Sequence, residues 1–224
     1  MALDFNSLKG KAQKIGPDRM KFQDGKNVFR IVSPIMPGYK YWLKTRDGQQ
    51  TIPFDCLGFN REEETFDNKK KDWVKNYFPE QKCQWAYSCL VIDRADEKIK
   101  LLDLKKTLLS QIIDVAKDDE AGLGDPSHPE TGWDIVVNRV RTGPKPFNVE
   151  YRLEHFKLKE SSLSDDEIAR VNEEPNLDEL LRELTPDEQN ELLKNLILPN
   201  DEDDTSDEEE IANELAGTGT DDDL

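Results

Sequence analysis

The chain has 224 residues and a formal net charge of −17, but the charge is unevenly placed. Residues 1–160 hold 28 Lys+Arg against 25 Asp+Glu, while residues 161–224 hold 3 against 23, and all 18 aromatic residues lie between Phe5 and Phe156. The last part therefore lacks material for a core of its own; no apolar run approaches the ~20 residues that span a bilayer, no basic-then-apolar leader opens the chain, and three cysteines do not make a disulfide framework.

Residues 1–20, with Lys9, Lys11, Lys14 and Arg19 and the breakers Gly10 and Gly16-Pro17, are expected as a basic arm. The folded body begins near Lys21. Asp24-Gly25-Lys26 is a turn signal and Val28–Val32 a β-branched and aromatic strand, ended by Pro34 and Pro37-Gly38. Tyr39–Lys44 is the second strand, closed by the turn pair Asp47-Gly48. Thr51–Phe54 returns, confined to an edge by Pro53. Residues 55–82 mix Glu62–Glu64, the basic triplet Lys69–Lys71 and the rings Phe59, Phe66, Trp73, Tyr77 and Phe78, and are expected as an insertion with a short helix at Trp73–Phe78.

Gln84–Asp93 is the strongest strand, with Trp85, Tyr87, Cys89 and Val91 on one face; Trp85 and Tyr87 are read as core. Ala95–Glu97 turns the chain into an antiparallel return over Lys98–Leu102. Leu108, Leu109, Ile112, Ile113 and Ala116 recur at helical spacing, which predicts a helix over about 105–117. A loop over 122–129 and strands at Trp133–Arg141 and Phe147–Leu158 complete the body. The order predicts a mainly β fold: an OB-fold-like small barrel over 21–160, with an insertion at about 55–82 and one helix. Ser164-Asp165-Asp166-Glu167 and Thr185-Pro186-Asp187-Glu188 are helix starts, so short amphipathic helices are expected over 161–200, followed by a disordered acidic tail over 201–224.

Sequence-tolerant binding of single strands needs rings for bases and cations for phosphates along one groove. Tyr39, Lys40, Tyr41, Trp42, Lys44 and Arg46 supply that mixture in one strand, with Tyr39 and Tyr41 on one face and Lys40 and Trp42 on the other. In a small barrel one of those faces must be core. Lys69, Lys70, Lys71, Trp73, Lys75 and Tyr77 form a second patch, and Arg139, Arg141 and Lys145 a third beside the last hairpin; a solvated basic run is the plain alternative for the second. His128 and His155 are isolated, no phosphate-binding loop or catalytic triad pattern is present, and the carboxylates cluster in the tail, so no enzyme is read.

The strings Val28-Phe29-Arg30-Ile31-Val32-Ser33-Pro34 and Gln84-Trp85-Ala86-Tyr87-Ser88-Cys89-Leu90-Val91-Ile92-Asp93 carry a resemblance. So do the helix Lys105–Ala116 and Gly132–Val137 with the segment through Arg152. Over about residues 25–158 the chain resembles the single-stranded DNA-binding (helix-destabilising) proteins of large tailed phages. The resemblance implies an OB fold that coats single-stranded DNA in replication, recombination or repair, in the host cytoplasm. It also implies that the acidic tail, ending in Asp221-Asp222-Asp223-Leu224, engages other replication proteins.

Two departures change what carries over. The family's structural zinc uses three cysteines and a histidine. Here Cys56, Cys83 and Cys89 form no close pair and no histidine precedes His128, so no metal or other cofactor is expected. The family's cooperative N-terminal motif has only a loose substitute in Ser7-Leu8-Lys9-Gly10-Lys11. The tail is expected to compete for the DNA groove, and duplex DNA stays open as a second ligand. The alternative is an acidic adaptor or DNA mimic that binds basic proteins.

Overall fold

The computed structural model describes residues 17–118, 122–145 and 148–199. In chain order these form β1 (Asp18–Arg19), β2 (Gly25–Ile31), β3 (Tyr39–Lys44), β4 (Thr51–Asp55), β5 (Phe59–Asn60), β6 (Thr65–Phe66), α1 (Trp73–Tyr77), β7 (Gln84–Trp85), β8 (Tyr87–Asp93) and β9 (Lys98–Leu104). There follow α2 (Lys106–Ala116), β10 (Trp133–Arg141), β11 (Val149–Leu153), a 3-10 turn (His155–Lys157), β12 (Lys159–Glu160), α3 (Asp165–Glu173), α4 (Leu177–Leu180) and α5 (Pro186–Leu196). The protein is mainly β. Most of the basic arm and the expected disordered tail lie outside the described residues, and no described helix is long and apolar enough to cross a membrane.

The chain divides into two units: residues up to Pro37 with Ala86–Arg182, and Gly38–Trp85 with the stretch from Glu183. The first unit is built on a sheet in the order β1-β9-β8-β2-β10-β11, with β12 also on β10. Every pairing is antiparallel except β1 with β9. Register puts Phe29 opposite both Ile135 and Asp93, Ile31 opposite Val91, and Cys89 opposite Leu102. These residues share one face, where Phe29, Ile31, Cys89, Val91, Leu102, Ile135 and Val137 are buried.

The other face of β8 and β9 is covered by α4: Leu90, Leu101 and Leu177 form a cluster with Met36, Leu180 and Leu181. All seven residues of β8 are consequently buried. Helix α2 buries Leu108, Leu109 and Ile112, and Gln111 treats the free edge of β11 as a strand would. Its amide donates to the Tyr151 carbonyl (3.3 Å) and its Oε1 accepts from the Leu153 N–H (2.9 Å).

Arg30 is fully buried on the second face. Its guanidinium donates to the His128 carbonyl (2.5 Å) and the Trp133 carbonyl (3.3 Å), fastening the loop before β10 to β2. Burial lowers its pKa and Asp134 opposes that shift. A Cβ at Gly132 would lie 2.2 Å from Arg30 Nη1 and 2.5 Å from the His128 carbonyl oxygen, a backbone atom, so this approach requires glycine.

The second unit has the sheet β4-β3-β7 and the ribbon β5-β6. Pro53 sits on β4, an edge strand, as its missing N–H demands. Tyr41, Leu43, Phe54, Leu57, Phe59, Val74 and Leu193 are buried here. Helix α5 starts with a capping box at Thr185 and Glu188 and Pro186 in its first turn. Its Gln189 is fully buried: Nε2 donates to the Asp55 carbonyl (2.9 Å) and Oε1 accepts from the Trp73 N–H (2.7 Å).

Three sequence expectations change. Tyr39–Lys44 is a strand but pairs with β4 and β7, not with the sheet that holds β2. The strand over Gln84–Asp93 breaks at Ala86, leaving Trp85 in one unit and the buried Tyr87 in the other. The strand expected to run to Leu158 ends at Leu153, and Phe147 lies outside the described residues. Periodicity sees neither break, because pairing partners far along the chain decide both.

Residues 161–199 supply buried Leu177, Gln189 and Leu193. A chain ending at Glu160 is therefore expected to lose cooperative thermal unfolding, and one ending at Pro199 to keep it. Gln189→Ala is expected to leave the Asp55 carbonyl and Trp73 N–H unpaired at about 1–3 kcal/mol each, read as a lower denaturant midpoint.

Candidate nucleic-acid interface

Alternation along β3 turns Tyr41 (3% exposed) and Leu43 inward and leaves Trp42 at 45% exposure. Lys40, Trp42 and Lys44 share the outward parity. Trp42 faces Pro53 across the pair and Lys40 faces Asp55, whose carboxylate lies 3.6 Å from the ammonium. A half-exposed indole thus stands between two lysines on a paired strand. Tyr41 is withdrawn from this set: its hydroxyl donates to Asp72 (3.1 Å) and accepts from the Cys56 thiol (3.3 Å). Burial, aided by the Cys56 bond, drives its phenol well above the ordinary range. A ring held there has no face for a base.

Tyr39 packs against Phe59 and Phe66 (ring centroids 4.8 Å each) and against Trp85 (5.9 Å). Phe66, which the sequence reading leaves unassigned, stays 50% exposed at the open end of this cluster. Its signal was a ring on a two-residue strand beside a turn, too short for periodicity to register.

Around α1, Lys71 Nζ lies 3.5 Å from the Trp73 ring centroid, and Trp73 stacks on Tyr77 at 5.6 Å and 21°. Tyr77 donates to Asn190 Oδ1 (3.1 Å), so both rings are tied to α5. Lys69 pairs with Asp67 (3.2 Å), Lys70 with Glu183, and Lys75 donates to Asn68 Oδ1 (3.2 Å). The Lys69 N–H and then Asn60 hold the Asp67 carboxyl at about 2. Lys69 and Lys70 remain 69% and 55% exposed, and exposed pairs of this kind are worth little, so phosphate can compete for them.

Arg46 has a different task. Its guanidinium donates to the carbonyls of Leu198 (2.6 Å) and Lys194 (2.8 Å), closing the C-terminus of α5. In the first unit Arg139 and Arg141 share Asp24; Arg139 is 16% exposed and Arg141 64%. Lys145 is exposed in the β10–β11 connection. The structure thus keeps Lys40, Trp42 and Lys44 on one face and turns Tyr41 and Arg46 to the fold. Asp221, Asp222, Asp223 and Leu224 lie outside the described residues.

The first unit also has a cleft of about 700 Å³ lined by Arg19, Lys21, Lys26, Arg94 and Lys100, with Asp93, Asp96 and Asp134 among them. Lys100 bonds Asp93 (2.7 Å) and Asp96 (2.9 Å). These cations are scattered over the sequence, which is why no local reading groups them.

No family model matches the chain. It is 33% identical over 149 residues to a protein of Escherichia phage T5 described as a probable ssDNA-binding protein, the alignment taking in 61% of this chain and 54% of that protein. The chain therefore spans about half the length of this curated relative.

The thiols report on the same geometry. Burial pushes Cys56 up to about 12, against the Tyr41 bond, and raises Cys89 as well, so both stay protonated near neutral pH and are poor nucleophiles. With Ellman's reagent at pH 8, half-buried Cys83 is expected to react in the native protein. Cys56 and Cys89 should react only after denaturant is added.

Proposed function

We propose that this chain coats and protects single-stranded DNA with little regard to sequence, in phage replication, recombination or repair. The observation that carries the reading is the outward face of β3, where Trp42 stands between Lys40 and Lys44. A half-exposed indole offers a stacking face that every base can use, and the flanking ammoniums suit the phosphates on either side. The phage T5 relative, described as a probable ssDNA-binding protein, supports the same reading.

So does topology. The strands β2, β8, β9, β10 and β11, with α2 between the third and fourth, are read as an oligonucleotide-binding barrel left open between β11 and β1, the parallel partner of β9. Lys69, Lys70, Lys71 and Lys75 of the second unit, and Arg139, Arg141 and Lys145 of the first, are secondary phosphate contacts. Binding, not catalysis, is the role, and the compartment is the cytoplasm of the host cell.

Residues 200–224 carry 12 Asp+Glu and no Lys or Arg. Tethered to the body, such a segment reaches roughly mM effective concentration and competes with DNA for its cations. Displaced by DNA, it offers Asp221-Asp222-Asp223-Leu224 to basic surfaces of replication proteins.

The test is fluorescence anisotropy of a labelled oligothymidylate, with full chain and a chain ending at Pro199, at two salt concentrations. The shorter chain is expected to bind more tightly, affinity to fall steeply with salt, and Trp42→Ala to cost about 1–3 kcal/mol. If the chain ending at Pro199 shows no affinity at low salt, the reading is wrong. The acidic adaptor that binds basic proteins, motivated by the 23 carboxylates after residue 160, takes its place. An unlabelled duplex competitor in the same series shows whether duplex is bound.

A further inference from the structure

Between β11 and β12 the chain loops out of a strand that stays paired with β10 on both sides. Leu153 faces Val137 and Lys159 faces Asp134, so six steps along one strand answer three along the other. The Glu154 N–H donates to the Val136 carbonyl (2.9 Å), and the surplus folds into the 3-10 turn His155–Lys157. Bonds from Lys157 N–H to the Glu154 carbonyl (2.9 Å) and from Leu158 N–H to the His155 carbonyl (3.2 Å) close it.

At the tip of this turn Phe156 is 104% exposed. Its ring is wholly in solvent, on a loop anchored at each end to the same strand. The residues beside it are His155 and Lys157, and Lys159 follows as the first residue of β12. Lys157 reaches Glu154 at 2.9 Å but stays 56% exposed, leaving its ammonium open to exchange partners.

We propose that Phe156 is a base-stacking residue: one base of a single strand lies flat on its ring, and the adjoining phosphates pair with Lys157 and Lys159. The inference rests on the reading that the chain binds single-stranded DNA, and it adds a contact that the ring-rich strand of the second unit does not supply. The surroundings favour a base over a protein pocket. A base needs one flat face and nearby cations, whereas a protein contact of consequence needs an apolar surround that excludes water. From Glu154 to Glu160 only Phe156 and Leu158 are apolar, and Leu158 is half-buried. Anchoring on both sides fixes the backbone that carries the ring before a strand arrives, which lowers the ordering cost of binding.

The experiment uses the full chain with Phe156→Ala and Phe156→Tyr, measured by anisotropy on oligothymidylate and by photocrosslinking to an oligonucleotide carrying 5-iododeoxyuridine. Phe156→Ala is expected to weaken binding roughly tenfold, about 1.4 kcal/mol, and to abolish the crosslink to the peptide containing residue 156. Phe156→Tyr should bind within about twofold of the parent. Because the ring buries nothing, both variants should melt with the parent. If Phe156→Ala binds as tightly as a parent that itself binds well, the inference is overturned while the single-strand reading stands. A parent that binds no oligonucleotide overturns both.

Discussion

The late helices are joined to the body by carboxylates from beyond residue 160 that meet cations of the body. Arg94, 16% exposed, takes Asp134 (3.0 Å), Glu97 (3.1 Å) and Glu167. Burial works against its charge, and Glu167 and Asp134 more than offset that. Glu167 serves twice, since the same carboxylate accepts from the Ser164 N–H (2.8 Å) in the capping box that starts α3. In the second unit Arg61 and Lys70 hold Glu183 just ahead of α5, and Arg46 closes that helix at its other end. Removing one partner from a half-buried pair leaves the other uncompensated, which is why such pairs fix register more than they add net stability.

The excess negative charge falls in two stretches of the sequence. Residues 161–199 carry 11 Asp+Glu and 3 Lys+Arg, and of these carboxylates Glu167 and Glu183 meet body cations, while residues 200–224 carry 12 and none. Pairing separates two basic residues that look alike in the sequence: Arg46 meets three carbonyls of the α5 terminus, while Lys70 meets Glu183 and stays 55% exposed.

What could be read from the sequence was what neighbours within four residues decide. Ser164-Asp165-Asp166-Glu167 and Thr185-Pro186-Asp187-Glu188 announce helix starts, and both helices form, each with a capping box. The apolar spacing from Leu108 to Ile112 announces α2, and Cys89 on a β-rich run announces a core thiol. What could not be read needed a partner far along the chain. Alternation separates Tyr41 from Trp42 but does not say which parity faces the core; Phe54, Cys56 and Asp72 settle that. Gln189, polar and fully buried, has no local mark at all, because its function is to meet Asp55 and Trp73 more than a hundred residues away. Phe156 was equally silent: its exposure follows from the register of two strands on β10, which no local pattern encodes.

The second unit is discontinuous, made of Gly38–Trp85 and a stretch that begins only at Glu183. On the ribosome, the ~100 residues between these pieces take roughly 5–20 s to synthesise at about 5–20 residues per second. Throughout that interval the second unit waits without Leu193 over its core and without Gln189 between Asp55 and Trp73. A chain that stops before Thr185 therefore leaves the second unit with an open apolar face, so the indole-bearing strand β3 gains its full support only once α5 has been made.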